Sequence, residues 1–164
     1  MTHNVTPLTK PFDGTIAIAA DHGGFRLKSF LIAELSGMHT LDLGTRNDTE
    51  SVDVQDYALA VVKSIFDGYA MRGIIICRSG HMASFVANRF PFIRAAICHT
   101  PELAVAARSH NDANVLCLPA DYMDEMTALA TVRLFMATSL AAEPRYHQRL
   151  EKLAALDLRQ FDKD

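Results

Sequence analysis

No disulfide scaffold, zinc-ligand spacing or membrane-length apolar run can be read in this chain of 164 residues. Its three cysteines are an odd number, and each sits inside an apolar segment. That usage fits a reducing cytoplasm rather than a stapled secreted domain. No cysteine pair has zinc-site spacing and the seven histidines are scattered, so neither a metal nor another cofactor is expected. The longest apolar runs fall far short of a bilayer span, so no membrane partner is expected. A formal charge of −3 offers no basic surface for nucleic acid. Met1 to Phe12 lacks the basic-then-apolar layout of a signal peptide and reads as a loose extension over 1–14. No linker, repeat or low-complexity stretch divides the rest. What is present is an ordinary globular balance, 49% apolar and 21% charged, long enough to bury one core.

Short β-rich runs alternate with longer helical ones. Strands are expected at Thr15 to Ala20, Thr40 to Leu43, Gly73 to Cys77, Ile93 to Cys98 and Asn114 to Leu118. Helices are expected at Phe25 to Leu35, Asp56 to Phe66, Met82 to Arg89 and Pro101 to Ser109. A long helix is expected over Asp121 to Leu140, and a last one from Pro144 to about Leu156. A charged tail over 157–164 closes the chain. The alternation predicts a single domain over 15–156: a Rossmann-like three-layer α/β/α sandwich with a five-stranded parallel sheet, plus C-terminal helices. In such a sheet the loops after the strands share one edge, where ligands bind. That edge gathers Asp21 and His22, Asp53, the run Cys77 to His81, and His99.

Cys77 is the focus of that edge. It ends the apolar run Ile74-Ile75-Ile76 and is followed by Arg78-Ser79-Gly80 and a helix start. A thiolate there can act as a base or nucleophile, and a helix N-terminus favours that form. A buried structural thiol is the alternative. Asp21-His22-Gly23-Gly24 also follows a strand and opens a helix, where glycines let backbone approach a ligand and N–H groups suit an anion. Its glycine spacing fits neither a P-loop nor a dinucleotide fingerprint. Cys98 and Cys117 read as core packing.

Taken with its neighbours, Ala20-Asp21-His22-Gly23-Gly24-Phe25-Arg26-Leu27-Lys28 resembles the first loop of the ribose-5-phosphate isomerase B family, which includes galactose-6-phosphate and allose-6-phosphate isomerases. Ser51 to Ala58 resembles its second loop, and Gly73 to Cys77 the strand leading to its catalytic cysteine. Ala87-Asn88-Arg89 and Ile93-Arg94-Ala95-Ala96 follow in order. His110-Asn111-Asp112-Ala113-Asn114-Val115-Leu116 is the strongest single match. Arg145, His147-Gln148 and Arg149 resemble the basic closing motif. The resemblance runs from about Thr15 to Leu156.

The resemblance implies a metal-free aldose–ketose isomerase acting on a phosphorylated sugar. Cys77 would take the proton beside the carbonyl to give an enediolate, with Ser79 assisting near the oxygens. Backbone N–H groups of the Ser79 to Ser84 turn, Gly80 included, would stabilise the enediolate oxygen. His110 would open the sugar ring by acid–base transfer. Asp21 and Asn111 would hold sugar hydroxyls. His22, Arg145 and Arg149 would bind phosphate; the two arginines lie four apart, on one helix face. A homodimer or tetramer is implied, with the site between subunits and the arginines crossing the interface.

The chain departs from the family pattern at the substrate end. The family's turn reads C-G-T-G-x-G-x-S; here Arg78 and Met82 replace glycines, and Arg78 and His81 become additional candidate ligand contacts. Asp121 stands where the family commonly carries a phosphate-binding arginine. Arg78, near in sequence to the pocket, is the candidate to restore that charge. Val54-Gln55 replaces tyrosine-proline, and Tyr146 stands where a histidine is common. Two other readings therefore stand beside the isomerase: a sugar-phosphate binding or regulatory protein without catalysis, and a partner subunit of a hetero-oligomeric isomerase.

Overall fold

The structure, a computed structural model, describes residues 14–156. The expected tail over 157–164, and all of the expected extension except Gly14, lie outside the described residues. Five parallel strands form one sheet: β1 (Ile16–Ala20), β2 (Thr40–Asp42), β3 (Arg72–Cys77), β4 (Ala95–Ile97) and β5 (Val115–Pro119). Six helices surround it: α1 (Phe25–Glu34), α2 (Val54–Phe66), α3 (His81–Ala87), α4 (Pro101–Asn111), α5 (Glu125–Ala137) and α6 (Pro144–Ala154). No described helix is long and apolar enough to cross a membrane.

Strand parity sorts the core. Ile16, Ile18, Ile74, Ile76, Leu116 and Leu118 face one layer, against α1, α4 and α5. Ala17, Ala19, Ile75, Cys77, Val115 and Cys117 face the other, against α2 and α3. Both faces are covered, which is why β1, β3 and β5 are apolar throughout instead of alternating.

The order across the sheet is β2-β1-β3-β5-β4. The chain winds one way from β1 to β2 and the other way from β3 onward. The β1/β3 junction is thus a switch point, where the flanking loops diverge and leave a crevice at the carboxyl edge. β5 lies between β3 and β4, so Pro119 registers against Cys77 and the loop after β5 borders the same crevice.

One expected element is corrected. The helix expected over Asp121 to Leu140 is a 3-10 turn, Ala120–Tyr122, followed by the shorter α5. Met123 is extended, and Asp124 caps α5 by accepting from the Thr127 N–H at 2.9 Å and its hydroxyl at 2.7 Å. At the other end Thr138 turns extended, which stops α5 at Ala137. The strand expected over Ile93 to Cys98 is confined to Ala95–Ile97. Its preceding residue, Arg94, gives its N–H to the Asn114 side chain instead of a ladder partner.

The turn from α4 into β5 is held by charge. Asp112, left-handed at φ 47°, accepts from Arg108 at 2.7 Å and from Arg94 at 2.8 Å. Arg108 is buried and also bonds the carbonyls of Ala113 and Thr138. Removing one partner of a buried pair strands the other charge. Asp112→Ala is expected to cost about 2–3 kcal/mol, read as a fall of roughly 5–10 °C in the thermal midpoint.

Candidate active site

Cys77 closes β3 at the carboxyl edge, on the face covered by α2 and α3. The Gly80 N–H donates to its Sγ at 3.2 Å. Gly80 has φ 77°, the left-handed region, so a glycine is needed there to turn the loop back onto the sulfur. Neither Arg78 nor Met82 has a positive φ, so the two family glycines replaced here leave no backbone strain behind. Burial pushes the Cys98 thiol up to about 12 and raises that of Cys117 as well.

The turn's donors divide into two sets. Besides the Gly80 N–H, the His81 N–H points to Ser79 Oγ at 3.5 Å and the Ser84 N–H bonds the Gly80 carbonyl at 3.0 Å. Among the described residues, the first-turn N–H groups of Met82 and Ala83 have no protein acceptor. Ser84 Oγ accepts from Asn88, and the His81 ring is exposed, edge-on to Phe85 at 6.3 Å.

The first loop forms the opposite wall. Asp21 Oδ1 accepts the Gly24 N–H at 2.9 Å and so shapes the turn into α1. A Cβ on Gly24 would come within 2.6 Å of the Ile76 carbonyl, so only glycine lets this loop lie against β3. The His22 ring is anchored through Nδ1, which lies 3.2 Å from the Val52 N–H and 3.3 Å from its carbonyl. With Nδ1 accepting from that N–H, Nε2 carries the ring hydrogen and is a donor; with Nδ1 donating to that carbonyl in the neutral ring, Nε2 is an acceptor.

Arg78 bridges the walls. Its stem lies over Gly23, where a Cβ would meet Cγ at 2.7 Å. Its Nη1 donates to Asp121 Oδ2 at 3.3 Å, and the Asp121 N–H donates to the Arg78 carbonyl at 3.0 Å. Arg78, after β3, is thus paired with the aspartate that follows β5. Both side chains are largely exposed, so the pair orients Arg78 more than it stabilises the fold.

The remaining predicted residues lie elsewhere. Helix α4 runs from the carboxyl edge back to the amino edge, so His110 and Asn111, at its end, sit by the start of β5. The His110 ring stacks on Tyr146 of α6 at 4.7 Å and 12°. The Arg145 guanidinium lies 4.9 Å, and that of Arg149 6.0 Å, from the same ring. One chain thus gathers Asp21, His22, Cys77, Arg78, Ser79, Gly80, His81 and Ser84 at one edge. His110, Asn111, Arg145 and Arg149 gather at the other. The two half-sites are separated by the length of β5, about 13 Å at 3.3 Å per residue. The sequence pattern signalled neither the Arg78–Asp121 pair nor the His110–Tyr146 stack, because their members are 43 and 36 residues apart. A groove of about 410 Å³ lined by Leu59, Val62, Lys63, Phe66, Phe90 and Phe92 lies between the end of α2 and the segment leading into β4, toward the amino edge, and Lys63 is the one ionisable group in its lining.

Comparison with known proteins assigns the class. Residues 16–153 match the family described as Ribose/Galactose Isomerase. Ribose-5-phosphate isomerase B of Escherichia coli is 34% identical over 149 residues, 88% of this chain and 97% of that one. The crystal structure of a ribose 5-phosphate isomerase from Thermotoga maritima superposes with a TM-score of 0.83 at 40% identity, covering 87% of this chain and 99% of that one. The type B ribose 5-phosphate isomerase of Trypanosoma brucei gives 0.84 at 36% identity, covering 88% and 99%. The Rossmann-like sheet, with its polar carboxyl edge, is that of a sugar-phosphate isomerase. The chain belongs to the ribose/galactose isomerase family, and its enzyme class is that of the aldose–ketose isomerases.

Proposed function

We propose that this protein interconverts an aldose phosphate and its ketose phosphate through an enediolate, at a site completed by a second copy of the chain. The observation that carries the proposal is the placement of Cys77: a thiol at the switch-point crevice, hydrogen-bonded by the Gly80 N–H and bordered by Asp21, His22 and Arg78. The thiolate removes the proton from C2 of the open aldose. Electrons move to the carbonyl oxygen, and the N–H of the exposed Met82 supplies a donor for the charge that develops there. Return of the proton to C1, with a proton moved between the two oxygens, yields the ketose. Ser79 Oγ lies beside this turn, in a place to serve that oxygen shuttle.

His110 and Asn111 cannot reach Cys77 in their own chain, since they lie at the opposite edge of the sheet. A dimer that sets the amino edge of one copy against the carboxyl edge of the other brings both half-sites together. Ring opening by His110 and phosphate binding by Arg145 and Arg149 are then supplied across the interface. His22 and Arg78 meet the same phosphate from the Cys77 side.

Solvent deuterium exchange into four- to six-carbon sugar phosphates tests this reading. Incorporation beside the carbonyl of at least one is expected. No exchange with any of them would leave a binding or regulatory protein. Arg78 is tested separately. Arg78→Ala is expected to raise KM about tenfold or more, as for loss of a charged hydrogen bond, with kcat little changed. An unchanged KM, and unchanged competition by inorganic phosphate, would remove Arg78 from the phosphate site.

A further inference from the structure

We infer that Tyr146 is a positioning residue for the ring-opening step: its ring sets the plane of His110 and ties Arg145 and Arg149 to it, so that acid–base and phosphate groups meet the sugar as one unit. The inference rests on the isomerase reading above. Tyr146 is the only buried residue of α6, at 5% exposure. Yet it belongs to neither of the two apolar clusters of the core. Its surroundings are functional groups. His110 lies parallel to its ring at 4.7 Å, and Arg145 Nη2 donates to its hydroxyl at 3.1 Å. Both guanidinium groups lie within cation–π range of the ring. A histidine that must pass protons to and from a sugar ring needs its nitrogens in the sugar's plane of approach. A parallel stack permits rotation within the imidazole plane and resists tilting out of it.

Five-carbon sugar 5-phosphates separate this role from a structural one. The aldose closes a ring through O4, whereas the ketose has no hydroxyl placed to close one and stays open. Turnover of the aldose therefore needs ring opening, and deuterium exchange into the ketose at C1 does not. With Tyr146→Leu, aldose turnover is expected to fall on the order of 100-fold. Ketose exchange should fall about tenfold or less, through the arginines alone. Tyr146→Phe keeps the ring and loses the hydroxyl. It should hold the aldose-to-ketose ratio at the wild-type value while raising KM for both sugars several-fold. The His110 ring protons report the stack directly by NMR: a ring-current shift in wild type and Tyr146→Phe, lost in Tyr146→Leu.

Equal losses on both sugars, or none, in a folded Tyr146→Leu protein would overturn the inference. So would wild-type KM values in Tyr146→Phe, the variant that decides the matter if the leucine form does not fold. A wild type inactive on both sugars would instead count against pentose phosphate isomerisation. The NMR comparison, with inorganic phosphate affinity in the same variants, would then still judge the platform: unshifted His110 protons in wild type, or unaltered phosphate binding, would reject it.

Discussion

Cys77→Ala is expected to abolish proton exchange and lower isomerisation by on the order of a thousandfold, the scale of losing a positioned general base. KM should change little, because in the proposed mechanism the sulfur acts on the reacting carbons while cations bind the phosphate. No neighbouring thiol can stand in. Cys117 is fully buried within β5, and Cys98 is buried after β4, held far toward the neutral form at about 12. The effect on folding should be small, since alanine keeps the apolar contact on the α2 and α3 face and the Gly80 N–H loses only a weak sulfur acceptor. Hydrogen exchange in the deuterated solvent is the measurement. Exchange that persists in Cys77→Ala would move the base to another carboxyl-edge group, with Asp21 the nearest in kind.

His110→Ala is expected to reduce turnover of a cyclic sugar by a hundredfold or more, and its loss should be complemented by a chain that is dead for another reason. In a dimer with shared sites, a hybrid of Cys77→Ala and His110→Ala chains holds one site with both lesions and one with neither. Random mixing makes half of the dimers hybrid, so about a quarter of the wild-type activity should return on co-refolding the two inactive proteins. A site contained in one chain gives no recovery at all. The experiment thus measures the distance between Cys77 and His110 by function, and an inactive mixture would refute the shared site while leaving the isomerase chemistry standing.

The alternation of apolar strands and amphipathic helices was enough to define a parallel sheet with covered faces. Boundaries fell within a few residues for most elements because strand and helix periods are local properties. The exception is instructive. Asp121 to Leu140 has the composition of a helix, but the Asp121 N–H is taken by the Arg78 carbonyl, and Asp124 offers a better cap three residues later. The residues at each strand end were legible in the same way, since a loop's place on the carboxyl edge follows from chain direction alone. That is why Asp21, His22 and Cys77 could be named together.

Family likeness, carried by motifs such as His110 to Leu116, supplied roles but not positions. Part of that motif has a plain structural reason: Asp112 and Asn114 bind Arg94, Arg108 and Phe92 to hold the turn, whatever the chemistry of His110. At Asp121 the sequence pointed to Arg78 as a compensating cation, and the structure pairs the two side chains. Sequence shows an aspartate where a cation is common. Only the side-chain path across Gly23 shows that a cation still stands at the crevice.

By itself, then, the sequence determined the fold class and placed Cys77 on the carboxyl edge, because both follow from periodicity and chain direction, while only the family resemblance singled that thiol out as a base. The tertiary structure alone decided the strand order, the Arg78–Asp121 pair, the His110–Tyr146 stack and the separation of the two half-sites. Those depend on which elements of a folded chain become neighbours, and contacts between residues 36 or 43 positions apart leave no local pattern to read.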